Sequence, residues 1–459
     1  MSLTLVLLVG YSLALVLLGV WIGRRVESSG AFFVARRRLG PILLFATVLA
    51  ANIGAGSTVG AAGLGYRHGL SGWWWVGSAA IGTALLAFWV GPRMWRIARE
   101  HDLYTVGDWL EHRYGRSVRL TIVILLWLGT LAILAGQLIA VAWVLDAVAG
   151  VPKVVGCLIG GLVMTAYFAA GGLLTSAWVN LVQLVVLLAG FTVAVPLVLS
   201  GAGGWNAVRA AAPTADYFGF WGGDGAGWAY VALLVPAFIV SPGLIQKVYG
   251  ARDERTVRLG VGLSAAALAL FAFVPPVLGM MARVYAPTLP NAELALPTVL
   301  TVALPPALGA LGLAAVFSAE ISSADAILFM LSTSLSEDLY RRFLRPDADD
   351  RAVLRVARVS AVAGGTLGVL LAILLPSVIG SLSIFYSLLG VSLLVPVVAG
   401  LHVRRAGVTE ALAAIVAGVV LALALRLTGV STTGAANAYM WGLVGSAVVF
   451  TIVLLLRKR

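Results

Sequence analysis

FATVLAANIGAGSTVGAAGLG, residues Phe45 to Gly65, is apolar enough to lie in a membrane and carries Gly54, Ala55 and Gly56 in a row at its middle. Glycine loses the most backbone freedom on folding and is costly inside a helix, so this centre predicts a local break in a membrane segment. In hydrocarbon such a break survives only where protein or a water-filled cavity covers the freed carbonyls and amides. Asn52, Gly54, Gly56 and Ser57 are therefore candidates for holding a small solute, with the loosened carbonyls of Ala50 and Ile53 beside them.

The rest of the chain fits that setting. Its 459 residues are 61% hydrophobic and 11% charged, with mean hydropathy +1.02, which excludes a soluble globular protein and indicates a multi-spanning membrane protein. The formal charge of +12 falls in short clusters between apolar runs. Anionic lipid and insertion orientation account for such clusters, so no nucleic-acid partner is expected, and no obligate protein partner is evident. Cys157 is the single cysteine, which excludes a disulfide within the chain and a zinc site made of cysteines. The N-terminus has no basic stretch ahead of its first apolar run, so that run is expected to be a retained span and not a cleaved signal.

Segments long enough to cross, roughly 20 residues at 1.5 Å each, predict thirteen spans: 2–23, 40–65, 72–95, 118–148, 152–171, 175–199, 227–248, 257–283, 307–336, 353–375, 377–401, 407–426 and 436–456. The division is a lead span and loop (1–39), a core of ten spans (40–401) and two tail spans (402–459), all in one transmembrane domain. With the N-terminus outside, 26 of the 31 lysines and arginines fall on internal loops and five (Arg67, Lys153, Arg209, Arg283 and Arg426) outside. That imbalance fits the cytoplasmic retention of basic residues, and it puts the C-terminus inside. The run 294–305 is too short to cross, Ser200 to Ala226 is long enough for a small external lid, and Trp73, Trp74 and Trp75 read as an interfacial belt.

Core span six carries Ser241, Pro242 and Gly243, where the missing proline donor and the permissive glycine predict a second opening. Core spans one and six are five helices apart, the spacing of a five-plus-five inverted repeat. Paired interrupted helices at matching places in two halves point to a transporter's binding site. Ser241 and Gly243 join the candidate solute residues on this ground.

Core span eight reads AAVFSAEISSADAILFMLSTSLSEDLY, Ala314 to Tyr340. Ala319, Ser322 and Ser323 are spaced i, i+3 and i+4 and share one helix face. Two hydroxyls and carbonyls offer neutral oxygen ligands, which suit a hard monovalent cation such as Na⁺. Glu320 and Asp325 are the only acids well inside a span. Either would compensate the cation's charge, face the cavity or make a structural hydrogen bond, and Glu320 would alternatively pair with a cationic solute or carry a coupling proton.

AANIGAGSTVG, GGLLTSAWVNLVQ at 171–183, QKVYGARDE at 246–254 and SSADAILFMLSTSLSEDLY ending at Tyr340 together resemble the sodium:solute symporter family. The resemblance implies a LeuT-like fold and a sodium ion between core spans one and eight, held by the carbonyls of Ala50, Ile53 and Ala319 and the hydroxyls of Ser322 and Ser323. It also implies that Asn180, standing where some members place an aspartate in core span five, makes a second coupled sodium unfavourable. Ser57, near the glutamine of the family's sugar transporters, does not favour sugar.

The expected protein is thus an all-helical secondary transporter in the cell membrane, coupling uptake of a small organic solute to one Na⁺. Proton coupling through Glu320 is the competing expectation. A passive channel would need a repeated filter motif. An enzyme would need a nucleophile with its base or a metal set, and GAGSTVG is neither a phosphate loop nor a nucleophile elbow.

Overall fold

A computed structural model of the protein describes Val6, Gly10, Leu13, Ala14, Leu17 and residues 37–169, 173–223, 226–428 and 437–457. The predicted lead span 2–23 lies almost wholly outside the described residues, as does the side chain of Asn180. Among the described residues, ten helical stretches are long and apolar enough to cross a bilayer.

Helix α1 (Pro41–Asn52) begins with proline in its first turn, where a missing N–H costs no helical bond. It ends at Ile53, whose backbone is extended (φ −102°, ψ 101°). The chain resumes in a wide π-type segment, Gly56–Gly60, and continues as α2 (Ala61–His68). Helix α3 (Trp73–Leu85) passes through a second wide segment, Leu86–Val90, into α4 (Gly91–Glu100). A short amphipathic helix, α5 (Val106–Tyr114), follows, started by a reciprocal cap between Thr105 and Asp108. Then come α6 (Arg116–Ala149), α7 (Lys153–Ala169), α8 (Leu173–Gly201) and the short α9 (Gly204–Ala210).

The second interrupted span is α10 (Ala226–Ile239) and α11 (Pro242–Tyr249). Ser241 between them has ψ 116°, and Pro242 offers no N–H to carry the ladder across. The predicted span 257–283 is also divided, into α12 (Glu254–Phe271) and α13 (Val274–Tyr285). Pro275 and Pro276 deprive the carbonyls one turn earlier of their donors, a break the sequence reading did not anticipate. After the short α14 (Ala295–Val302), α15 (Pro306–Thr333) extends as a wide-turned helix, Ser334–Leu344. The chain closes with α16 (Asp350–Leu374), α17 (Val378–His402), α18 (Val408–Leu427) and α19 (Ala438–Leu456).

Burial ranks these helices. The apolar window of α15 is 100% buried and that of α19 only 17%, so α15 is the axis of the bundle and α19 lies at its lipid-facing edge. Helices α1, α8, α11 and α16 pack around α15, while α6 and α10 flank α17. The segment 200–223 is fastened over the ends of α2 and α3. Tyr217 donates to the Gly65 carbonyl at 2.7 Å, and Trp74 Nε1 donates to the Phe220 carbonyl at 2.9 Å.

At the end of the bundle that carries most of the arginines, polar contacts tie the helices together. Leu39 N donates to Gly250 O (3.0 Å) and Arg252 N to Leu39 O (3.1 Å), joining the entrance of α1 to the exit of α11. Arg119 on α6 is only 3% exposed and meets three carboxylates: Asp338 at 2.6 Å, Asp108 at 2.8 Å and Glu111 at 2.8 Å. Asp338 also accepts from Thr105 Oγ1 at 2.6 Å, and Arg342 pairs with Glu111. Burial pushes the Glu111 carboxyl up, but the bonds from Arg342 and Arg119 outweigh it and hold the group below its ordinary range.

Candidate cation and solute site

The break after α1 frees specific oxygens. In an unbroken helix Ala50 O would accept from the amide of Gly54, but Gly54 N donates instead to Ser57 Oγ at 2.9 Å. Ile53 O loses its partner in the same way, because Ser57 N turns to Gly54 O at 2.9 Å. The exposed carbonyls meet α15. Ser322 Oγ lies 3.2 Å from Ala50 O and 3.0 Å from Ala319 O, and Ser323 Oγ lies 3.2 Å from Ala50 O and 3.0 Å from Ile53 O.

Each hydroxyl has one proton, so only two of these four close approaches carry a hydrogen bond at any instant. The other two bring lone pairs together. A cation with a preference for oxygen removes that conflict, and three carbonyls with two hydroxyls present no net charge that would favour a divalent ion. All five residues the sequence nominated, Ala50, Ile53, Ala319, Ser322 and Ser323, are brought together here and buried, except that Ala50 and the serines keep 2–3% exposure.

Gly54 is required by contact. A Cβ built there would strike Ser323 Oγ and come within 2.7 Å of Gln137 Oε1. Gly54→Ala is expected to push Ser323 off the carbonyls and weaken cation binding about tenfold, at the low end of a lost bond to a charged group of ~1.5–3 kcal/mol. Titrating Na⁺ against the melting temperature of the variant checks this.

Next to the oxygen set, and sharing Ser323 with it, is a cavity of about 430 Å³ counted together with its opening to solvent. Asn52, Gly54, Gly56 and Ser57 line it. Ser241 and Gly243 do not. Their helix continues toward the arginine-rich end, and α10 reaches the cavity earlier in its course, through Leu234 and Phe238. Sequence reasoning missed Gln137, Trp75, Phe238 and Tyr386, which complete the polar and aromatic wall. A glutamine in the middle of the apolar α6 was the available signal for the first.

The interfacial belt predicted for the tryptophans is wrong. Successive residues of α3 turn by 100°, so three adjacent indoles cannot share a lipid-facing surface. Trp75 is 3% exposed and points into the cavity wall, Trp74 is 7% exposed and stacks on Trp221 at 4.0 Å, and Trp73 Nε1 donates to Ala269 O at 3.3 Å.

The two membrane acids serve elsewhere than in the cavity lining. Glu320 is fully buried; its Oε1 accepts from Thr58 Oγ1 at 2.6 Å, and its Oε2 has no hydrogen-bond partner. Thr58 Oγ1 is also 2.9 Å from Gly54 O, which links the acid to the break. Asp325 is the carboxylate that acts on Lys247 of α11, and Lys247 Nζ lies 3.1 Å from Thr47 Oγ1 of α1. Lys247 is one of the 26 basic residues that the charge pattern assigns to internal loops, yet it is 1% exposed inside the bundle. A lysine inside one apolar span, with an acid inside another to offset its charge, is the pattern that would have revealed it.

Two interrupted helices crossing an unbroken buried one define a transporter of the LeuT-like class. Solved structures agree on the fold. A Na⁺-coupled sialic acid symporter in a substrate-bound outward-open state matches with TM-score 0.84 at 20% identity, over 99% of this chain and 98% of that one. Mhp1, a nucleobase-cation-symport-1 family transporter in a closed conformation, matches with TM-score 0.65 at 15% identity, over 94% of each chain. The family model for the sodium:solute symporters matches residues 32–418, and the chain belongs to the sodium:solute symporter family. It is similar to the sodium/pantothenate symporter of Escherichia coli (strain K12), at 29% identity over 89% of this chain and 88% of that relative. It is also similar to high-affinity choline transporter 1 of Caenorhabditis elegans, at 24% identity over 91% of this chain and 77% of that one.

Proposed function

We propose that this protein takes up a small organic solute by symport with one Na⁺, bound by Ala50, Ile53, Ala319, Ser322 and Ser323. The observation that carries the reading is the meeting of two hydroxyls and three carbonyls with fewer protons than oxygen contacts. Na⁺ would join α1 to α15 and favour the state in which the cavity accepts solute; the coupling is then reciprocal. One positive charge crossing 100 mV adds about 2.3 kcal/mol to whatever the concentration gradient supplies. The same reading has the protein in the cell membrane with thirteen crossings in a five-plus-five repeat, a single transmembrane domain, N-terminus outside and C-terminus cytoplasmic, and no catalytic role.

Na⁺ is expected to raise the melting temperature of the purified protein while K⁺ at equal ionic strength does not, because a ligand of the folded state stabilises by about 2.7 kcal/mol at 100 times its Kd. Equal melting in both salts would defeat the reading. Proton coupling remains the competitor, favoured by the unpartnered Oε2 of Glu320. Uptake driven by a pH gradient without sodium, and lost in Glu320→Gln, would establish it instead.

A further inference from the structure

The hydrogen-bonding groups of the cavity are specific in number and kind. Thr83 Oγ1 gives its one proton to Ala79 O at 2.8 Å, so it can only accept from Asn52 Nδ2, 3.3 Å away. That fixes the amide with Oδ1 on the opposite side, where it is buried, unpartnered and part of a residue that lines the cavity. A buried acceptor without a donor bears the full cost of desolvation, which a ligand N–H or O–H would relieve.

The donors outnumber it. Gln137 Oε1 accepts from Ala55 N at 2.8 Å, which leaves its Nε2 uncommitted among the described residues. Trp75 Nε1, lying against Gly56, and the Tyr386 hydroxyl likewise bond nothing among them, and all three residues line the cavity. Among the described residues, no Lys, Arg, His, Asp or Glu lines it. Ser323, however, belongs both to the cavity wall and to the oxygen set. A cation held there would be the formal charge that shares a wall with the solute.

We infer that the solute is a small carboxylate that also carries a hydroxyl or amino donor: its carboxylate accepts from Trp75 and Gln137 beside the Na⁺, and its donor bonds Asn52 Oδ1. This rests on the Na⁺ assignment above. A carboxylate in this uncharged cavity draws its electrostatic attraction from Na⁺, whereas a cationic solute would be repelled by it. The ion and the acid therefore raise each other's affinity through charge as well as through conformation.

Tryptophan fluorescence and melting of the full-length protein in nanodiscs test this, with lactate, alanine, propionate, lactamide, alaninamide and choline as probes, each in NaCl and in KCl. Lactate or alanine should bind about 5–150-fold more tightly in NaCl, the usual range of coupling between two sites. Lactamide, which lacks the carboxylate charge, should gain clearly less from sodium than lactate does, and the cations alaninamide and choline should not bind in NaCl. Asn52→Ala should abolish the preference for lactate over propionate while Na⁺ alone still raises the melting temperature, which shows that the variant is folded. If Na⁺ stabilises the protein but only the amides or choline bind, or none of the acids does, the inference falls and the sodium reading stands. If Na⁺ has no effect, the sodium reading itself has failed. A lactate preference unchanged in Asn52→Ala also overturns the role given to Asn52.

Discussion

Ser322→Ala combined with Ser323→Ala is expected to abolish sodium-dependent uptake at millimolar sodium. A hydrogen bond or ligand contact to a charged partner is worth about 1.5–3 kcal/mol, so each lost hydroxyl weakens cation binding roughly 10–150-fold. The two losses together move half-saturation beyond any working concentration. The fold should survive, because the hydroxyls bond only the carbonyls of Ala50, Ile53 and Ala319 and alanine removes one oxygen atom from each. Ser332→Ala on the same helix, whose hydroxyl bonds Phe329 O at 3.0 Å away from the set, is the control and should leave the sodium titration unchanged. A double variant with the sodium response of the wild type would remove the basis of the proposed function.

The second large effect concerns the opposite kind of polar site. Arg119→Met leaves Asp108, Glu111 and Asp338 facing one another at the arginine-rich end with their shared cation gone. Breaking a buried ion pair by removing one partner costs about 3–5 kcal/mol, most of it from the charges left uncompensated. A clear fall in melting temperature is expected, with partial recovery when Asp338→Asn and Asp108→Asn are added to the same chain. If Arg119→Met melts like the wild type, the network does not hold this end closed. Glu111 adds a pH signature. Its carboxyl is lowered in the fold, so its contribution is complete above the ordinary carboxylate value and is lost as pH falls through the lowered one.

Gly54 and Pro242 announced both breaks because backbone rules act locally: a residue without a Cβ or without an N–H disturbs its own turn, whatever surrounds it. Ser322 and Ser323 were legible for a similar reason, since helical spacing fixes which side chains share a face. Lys247 was not, because burial of a charge depends on what packs against it. Asp325, the carboxylate whose charge reaches it, is 78 positions away on another span. Trp75 was misread on the same account: hydropathy gives the depth of a side chain in the bilayer and says nothing of whether its helix turns it toward lipid or toward the interior.

By itself, then, the sequence determined a multi-spanning helical chain, two openings in it and a pair of hydroxyls on one helix face, all consequences of periodicity and backbone chemistry. Only the tertiary structure decided that Ala50 and Ile53 present their carbonyls to those hydroxyls, that Asn52, Gln137, Trp75 and Tyr386 enclose one cavity, and that Arg119 gathers three carboxylates. The physical reason is that the rotation and tilt of each membrane helix are set by packing against its neighbours, a property of no single segment.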